Sequence, residues 1–218
     1  MVQLTDIAPE ALPAALAAFA RGIAHDRLAA AAFARIAERV TGDHDESAQR
    51  ETAVAWARRL GIAVIDEEPS RAFSWDGQAL RTRSEPCVLF HEIAHWQLAP
   101  PSRRALPDFG LGAGPETGRK AEADRARVVD EEARIAEECA ASLLGILWEA
   151  ACGGPAIEAF LEQNWLERFD SAGTHRLYAE TLEGLRRRGL IDAAGEPAAL
   201  RAAAPGAGSH ALVFAAAS

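Results

Sequence analysis

The stretch at residues 89–110 is "LFHEIAHWQLAPPSRRALPDFG", and it contains the pattern His-Glu-x-x-His, with His91 and His95 four residues apart. Residues at positions i and i+4 of a helix lie on one face, one turn apart, so both imidazoles can point at the same metal ion. Glu92 lies on the flank of that face, where its carboxylate can reach a metal-bound water. We therefore predict a metal centre with His91 and His95 as ligands and Glu92 as the catalytic residue.

The segments around this pattern predict a helix preceded by a small sheet. Ser84 is a candidate N-cap, Pro86 suits a first helical turn, and the helix should end near Leu98 because prolines follow it. Upstream, a β-branched run and two short segments flanking Asp76-Gly77, a strong hairpin signal, predict a small antiparallel sheet over about 61–83.

Alanine-rich stretches with apolar residues at helical spacing surround this core. We expect two helices over 9–40 with a break at Gly22, a long ordered loop over 100–118, and one helix over 120–151 that ends at Gly153-Gly154-Pro155.

The predicted fold class is α+β, a mainly helical single domain with a small antiparallel sheet before the motif helix. We expect residues 1–60 to form a helical segment packed on the core, 61–200 to form the metal-binding domain, and 201–218 to be a low-complexity tail.

Two histidines do not complete a catalytic site, because a catalytic zinc or a non-haem iron needs a third protein ligand. Glu138 shares a helix face with Ser142 and Gly145, whose small side chains would let another helix approach closely, and we expect that face against the motif helix. Glu138 is therefore the predicted third ligand. The alternatives are Glu131 on the same face, Glu132 nearer the apolar stripe, and Glu137, which should point most nearly away.

Asp108 is a further candidate, either as a ligand or as an acceptor that orients a histidine. An aspartate next to glycines more often stabilises a turn, so this alternative stays open at the level of the sequence.

The composition argues against some classes of partner and against export. A formal charge of −9 disfavours binding to nucleic acid or to an anionic membrane. The N-terminal segment has neither the basic nor the apolar region of a secretory signal. The three cysteines form no CxxC pair, which is typical of reduced thiols, so we expect a cytoplasmic protein.

The motif region resembles the bacterial elongation factor P hydroxylase family. The resemblance covers residues 89–110 and consists of "HEIAHW" followed by Ala99, Arg103-Arg104, Leu106 and Asp108–Gly110. Members of that family are small HExxH proteins whose metal site has two histidines and a carboxylate, and they hydroxylate a modified lysine on the translation factor. The resemblance implies that His91 and His95 are metal ligands and that the family's downstream glutamate corresponds to Glu138.

Three functions are open at this point. The first is a non-haem iron hydroxylase or oxygenase that uses Fe(II), the favoured divalent metal, on a side chain of a protein or peptide substrate such as a translation factor. The second is a single-domain zinc metallopeptidase that uses Zn(II), with Glu92 as general base. The third is a non-enzymatic, metal-stabilised interaction protein.

Overall fold

The computed structural model describes residues 7–8, 10–38, 45–200 and 211–212. Its helices are, in chain order, α1 (Leu12–Ile23), α2 (Arg27–Ala37), α3 (Glu46–Arg59), α4 (Pro86–Leu98), α5 (Pro101–Arg104), α6 (Lys120–Arg125), α7 (Glu131–Ala151), α8 (Ala156–Glu162) and α9 (Ala172–Arg187). The strands are β1 (Ala63–Ile65), β2 (Ala79–Arg81), β3 (Ala199–Leu200) and β4 (Ala211–Leu212). The predicted α+β class, mainly helical, is confirmed. None of the helices in the described ranges combines the length and the apolar character that crossing a membrane requires.

Contacts divide the chain into two compact units. Among the described residues, the helical unit comprises 7–8, 10–38 and 146–198, and the motif unit comprises 45–145, 199–200 and 211–212. The predicted boundaries at residues 60 and 200 stay predictions. The predicted tail, 201–218, lies outside the described residues except for β4, which pairs antiparallel with β3.

The core of the helical unit is aromatic and is formed by α1, α2, α8 and α9. The ring of Phe19 lies 4.9 Å from that of Phe33 and 5.2 Å from that of Tyr178, measured between centroids. The predicted break at Gly22 is wrong, because α1 continues to Ile23. The break comes just before Asp26, whose carboxylate accepts a hydrogen bond from the backbone N–H of Ala29 and so caps α2.

The small sheet of the motif unit is parallel, so the predicted antiparallel direction is wrong. β1 and β2 pair with Ala63 opposite Ala79. The Asp76-Gly77 turn does form, with Asp76 Oδ1 accepting from the backbone N–H of Ala79 at 2.9 Å, but it supports only an isolated antiparallel bridge between Trp75 and Leu80. The segment between β1 and β2 leads the chain back before β2 begins, which makes the two strands run in the same direction.

The motif helix is close to its prediction. α4 runs from Pro86 to Leu98 with the proline in its first turn, and it packs against α3. Ser84 does not cap it, because Glu85 is the residue before the helix and the Ser84 hydroxyl donates to Glu116 instead.

The helix predicted over 120–151 is divided into α6 and α7 by residues 126–130. Asp130 accepts a hydrogen bond from the backbone N–H of Ala133 at 2.8 Å and begins α7 as an N-cap. β-Branched Val128 and Val129 lie in the gap, where their lower helix propensity is consistent with the interruption.

Candidate metal centre

The backbones of α4 and α7 approach each other closely at the motif. A Cβ atom on Gly145 would lie 2.9 Å from His91 N and 3.1 Å from the carbonyl carbon of Phe90. A residue with a side chain would therefore push the helices apart. Glu138 lies seven residues earlier on α7, about 10 Å along its axis. The expectation that the small-residue face of α7 lies against the motif helix is confirmed at Gly145.

This contact brings His91, His95 and Glu138 together. The Nε2 atoms of His91 and His95 are 2.9 Å apart, and Glu138 Oε2 lies 3.4 Å from each of them. A metal ion with ligand bonds of about 2.0–2.1 Å at tetrahedral or octahedral angles holds neighbouring ligand atoms about 2.8–3.4 Å apart. The three atoms therefore fit a single ion. The side chain of His95 is 5% exposed and that of Glu138 is 38% exposed, so the cluster is closed on one side and open on the other.

Two of the alternative ligands lie away from the histidines. Glu131 is exposed and forms ion pairs with Arg127 and Arg134. Glu132 is exposed as well, although the sequence places it nearer the apolar stripe. That stripe is not covered at this end of α7, where Ile135 is 51% exposed.

Glu137 was expected to point away from the motif helix, and this expectation is wrong. Its Oε1 atom lies 3.7 Å from His95 Nδ1, and its Oε2 atom accepts a hydrogen bond from Arg103. Arg103 also donates to the backbone carbonyl of Phe109 at 3.2 Å. Arg103 belongs to the stretch that carries the family resemblance, and this was a partial signal of the arrangement.

A left-handed turn borders His95. Asp108, Phe109 and Gly110 have φ values of 41°, 55° and 67°. This conformation costs a non-glycine residue about 1–2 kcal/mol, so the surrounding contacts must stabilise it. The buried ring of Phe109 stacks on His95, with centroids 5.6 Å apart, and on Trp75, with centroids 5.4 Å apart. The turn therefore covers one face of the predicted ligand.

Asp108 stabilises that turn. Its carboxylate accepts hydrogen bonds from the Thr117 hydroxyl at 2.7 Å and from the backbone N–H groups of Trp75 and Gly114, each at 3.4 Å. The backbone N–H of Asp108 donates to the carbonyl of Trp75 at 2.8 Å. With its carboxylate occupied in this way, Asp108 is neither grouped with the histidines nor bonded to one. The turn-stabilising alternative is the one that the structure supports.

Burial and neighbouring charges shift the pKa values of three side chains in the centre. Burial raises the pKa of Glu92 to about 8, although the positive charge of His95 partly offsets this effect. Burial by itself lowers the pKa of His95, but contacts with Glu137 and Glu138 outweigh it and raise that pKa to about 10. Burial raises the pKa of Glu138, but His91 and His95 overcome it and hold that pKa well below its usual range. The cluster thus combines a protonated histidine, whose proton a divalent cation could replace, with an ionised glutamate, whose charge that cation could neutralise.

Comparisons of the chain with protein-family models, with curated proteins and with solved structures found no match. The resemblance to the elongation factor P hydroxylases stays an inference from residues 89–110. The geometry of His91, His95 and Glu138 is the observation from which a function can be argued.

Proposed function

We propose that this protein is a metal-dependent enzyme with His91, His95 and Glu138 as ligands, and that it is a non-haem iron hydroxylase or oxygenase. The observation that carries the proposal is the mutual spacing of 2.9 to 3.4 Å between the two Nε2 atoms and Glu138 Oε2. Two histidines and one carboxylate on one side of an ion leave the remaining positions open, which is the arrangement that non-haem iron oxygenases use.

The roles of the side chains follow from their positions. A bound Fe(II) ion would supply the redox chemistry by which dioxygen, with a two-electron reducing co-substrate, hydroxylates a C–H bond. His91 and His95 would bind the ion through Nε2, and Glu138 would bind it through Oε2. Burial raises the pKa of Glu92 to about 8 in the metal-free protein, and this carboxyl group, next in sequence to His91, would carry a proton to or from a group near the centre. Phe109 excludes water from one face of His95.

A zinc metallopeptidase is the second candidate, because a carboxylate with a pKa near the working pH suits a general base. One observation disfavours it. Tyr178, the single tyrosine of the chain, is fully buried among the aromatic rings of the helical unit. It is therefore not available to stabilise the oxyanion that forms when a peptide carbonyl is attacked. A non-enzymatic, metal-stabilised protein is the third candidate, and the exposed side of Glu138 argues against it.

We further propose a protein or peptide substrate and a cytoplasmic location. The substrate class follows from the family resemblance at residues 89–110, which points to a side chain of a translation factor. The location is supported by the cysteines of the sequence, which are three in number and form no CxxC pair. The net charge of −9 supports a partner other than nucleic acid or an anionic membrane.

Metal analysis tests the proposal. Tag-free protein purified without oxygen would be compared by elemental analysis with His91→Ala and with His25→Ala, which removes an exposed histidine of the helical unit. We expect about one iron per chain in the wild type and in His25→Ala, and a loss of iron in His91→Ala. Zinc in place of iron under these conditions would favour the peptidase, and little metal in the wild type would refute both enzymatic functions.

The Glu92→Gln variant separates the two enzymes. A zinc peptidase should lose nearly all hydrolysis, because Glu92 would be its general base. An iron hydroxylase should keep its bound iron and part of its activity, because Glu92 only moves a proton near the centre. A peptidase activity that survives the substitution would exclude Glu92 as the base.

A further inference from the structure

His95 has a second ring nitrogen that faces a different glutamate. While Nε2 lies near His91 and Glu138, Nδ1 faces Glu137 Oε1 at 3.7 Å. Both His95 Nδ1 and Glu137 Oε1 are buried, and neither has a hydrogen-bond partner among the residues that the structure describes. A buried polar atom left in this state destabilises the folded protein, because it has lost its hydrogen bonds to water and gained none in return. The two atoms are a few tenths of an ångström too far apart for a hydrogen bond with each other, so a small movement would satisfy both.

Arg103 holds the acceptor in place. The Arg103 and Glu137 side chains are each only 13% exposed, so their ion pair is shielded from solvent. One terminal nitrogen of Arg103 donates to Glu137 Oε2, and the other donates to the carbonyl of Phe109, whose ring stacks on His95. Arg103 therefore connects two residues that contact His95: Glu137, which faces Nδ1 of the imidazole, and Phe109, which stacks on the ring.

The tautomer of His95 gives this arrangement a function. A neutral imidazole carries one N–H, so an Nε2 atom that binds a metal requires the proton to be on Nδ1. Metal-ligating histidines commonly donate that other N–H to a carboxylate, which fixes the orientation of the ring and strengthens the ligand. Glu137 Oε1 is the unpaired buried acceptor that faces His95 Nδ1.

We propose that Glu137 is a positioning residue for the metal centre: it accepts a hydrogen bond from His95 Nδ1–H, and Arg103 holds it for that purpose. The inference rests on the proposed function, because it assumes that His95 Nε2 binds a metal ion. It goes beyond the three ligands, since neither Glu137 nor Arg103 contacts the ion.

The Glu137→Gln variant tests the proposal with a close isostere. Glu137 offers one oxygen to His95 and another to Arg103, whereas glutamine has an NH2 group in one of these two positions, and that group donates and cannot accept. The matched control is Glu132→Gln, which removes the same charge from an exposed position of the same helix. We expect Glu137→Gln to bind zinc about 10–100-fold more weakly than the control, measured by competition with a chromophoric chelator.

The position of the proton is measured directly on the wild type. Zinc is diamagnetic, so long-range ¹H–¹⁵N spectra of the zinc-loaded protein report which nitrogen of His95 carries hydrogen. We expect a protonated Nδ1 whose proton signal is shifted downfield by a hydrogen bond, and we expect that signal to move in Glu137→Gln while it stays in place in Glu132→Gln. A zinc-bound Nδ1, or a signal that Glu137→Gln leaves unchanged, would overturn the proposal.

The outcomes separate this inference from the function on which it rests. If the wild type binds no zinc, both the metal centre and the role of Glu137 are refuted. If the wild type binds zinc and Glu137→Gln binds it as tightly as Glu132→Gln, the metal centre stands and the role of Glu137 is refuted. If Glu137→Gln does not fold, as judged by far-UV circular dichroism, the wild-type spectrum still decides which nitrogen is protonated.

Discussion

Gly145 allows the close contact between α4 and α7 on which the candidate centre depends, and its replacement by alanine tests that contact. The new Cβ atom would lie 2.9 Å from His91 N, 3.0 Å from His91 Cα and 3.1 Å from the carbonyl carbon of Phe90. All three are backbone atoms of a helix, so no side chain can rotate away to make space. Gly184 is a matched control, because it lies within α9 and a Cβ atom there would meet none of the described residues within 4 Å, apart from its chain neighbours and the backbone of its own helix.

The two substitutions should change stability in opposite directions. Alanine in a helix interior is favoured over glycine by about 1 kcal/mol, and Gly184→Ala should gain this amount. At Gly145 the same gain is opposed by overpacking, which costs about 1–3 kcal/mol and should be near the upper end against a rigid backbone. We expect a net destabilisation of about 1–2 kcal/mol. For a chain of this size each kcal/mol shifts the Tm by about 2–4 °C.

The metal centre should respond as well. Ordinary contacts between carbon atoms are about 3.5–4.0 Å, so the helices must separate by roughly 0.5 Å to admit the methyl group. This movement exceeds the tolerance of about 0.2 Å in metal–ligand distances, and it separates Glu138 on α7 from the histidines on α4. Gly145→Ala should therefore bind zinc at least about 10-fold more weakly than the wild type, whereas Gly184→Ala should bind it equally well.

Thermal unfolding of the metal-free proteins, followed by circular dichroism, and zinc competition are the two assays. The expected result is a Tm that is lower in Gly145→Ala and higher in Gly184→Ala, with weaker zinc binding in the first variant alone. An increase in Tm for Gly145→Ala similar to that for Gly184→Ala, with unchanged zinc binding, would refute the close approach of α7 to His91.

Three further predictions concern protonation and the left-handed turn. The metal-free protein should lose stability as the pH rises from about 5 to 10, because folding raises the pKa of Glu92 from 4.5 to about 8 and that of His95 from 6.5 to about 10. The folded state then binds more protons than the unfolded state over this window, so the Tm should be lower at pH 9 than at pH 6. Glu92→Gln should reduce the decrease in Tm between pH 5 and 8. A Tm that rises over this range would contradict the raised pKa values of Glu92 and His95. Asp108→Ala should destabilise the protein by about 2–4 kcal/mol in urea unfolding, because it removes the acceptor for the Thr117 hydroxyl and for two backbone N–H groups. A loss of stability below about 1 kcal/mol would show that these hydrogen bonds do not stabilise the turn. Phe109→Ala should destabilise the protein by about 3–5 kcal/mol in the same assay, because the ring is fully buried. The substitution should also weaken zinc binding, because it uncovers one face of His95. Unchanged zinc binding would show that the ring does not contribute to the metal centre.

Local rules predicted the parts of the centre that depend on one helix. The four-residue spacing of His91 and His95 and the proline in the first turn specify the motif helix and the face that carries the ligands. The small residue at 145, one heptad after Glu138, predicted which face of α7 approaches the motif helix. These signals need no knowledge of how distant segments meet.

The parts that were predicted wrongly, or that stayed open at the level of the sequence, depend on contacts between distant segments. The direction of the β1–β2 pair follows from the path of the chain between the strands, which their own residues do not encode. The turn at Asp108 is stabilised by Trp75, 33 residues away, and by Thr117, nine residues away. A sequence pattern gives no reason for two successive non-glycine residues to adopt positive φ, because the favourable contacts become visible only in the folded chain.

Glu137 shows why a helical face alone was too narrow a criterion. Successive residues of a helix are about 100° apart, so choosing Glu138 for the face toward α4 implied that Glu137 points elsewhere. A histidine ring, however, has two nitrogens that point in different directions. His95 lies where its Nε2 faces Glu138 at 3.4 Å and its Nδ1 faces Glu137 at 3.7 Å. Two consecutive glutamates opposite one histidine can thus provide a metal ligand near its Nε2 and a hydrogen-bond acceptor near its Nδ1. The Glu137→Gln substitution should therefore weaken metal binding although the ligand set is unchanged.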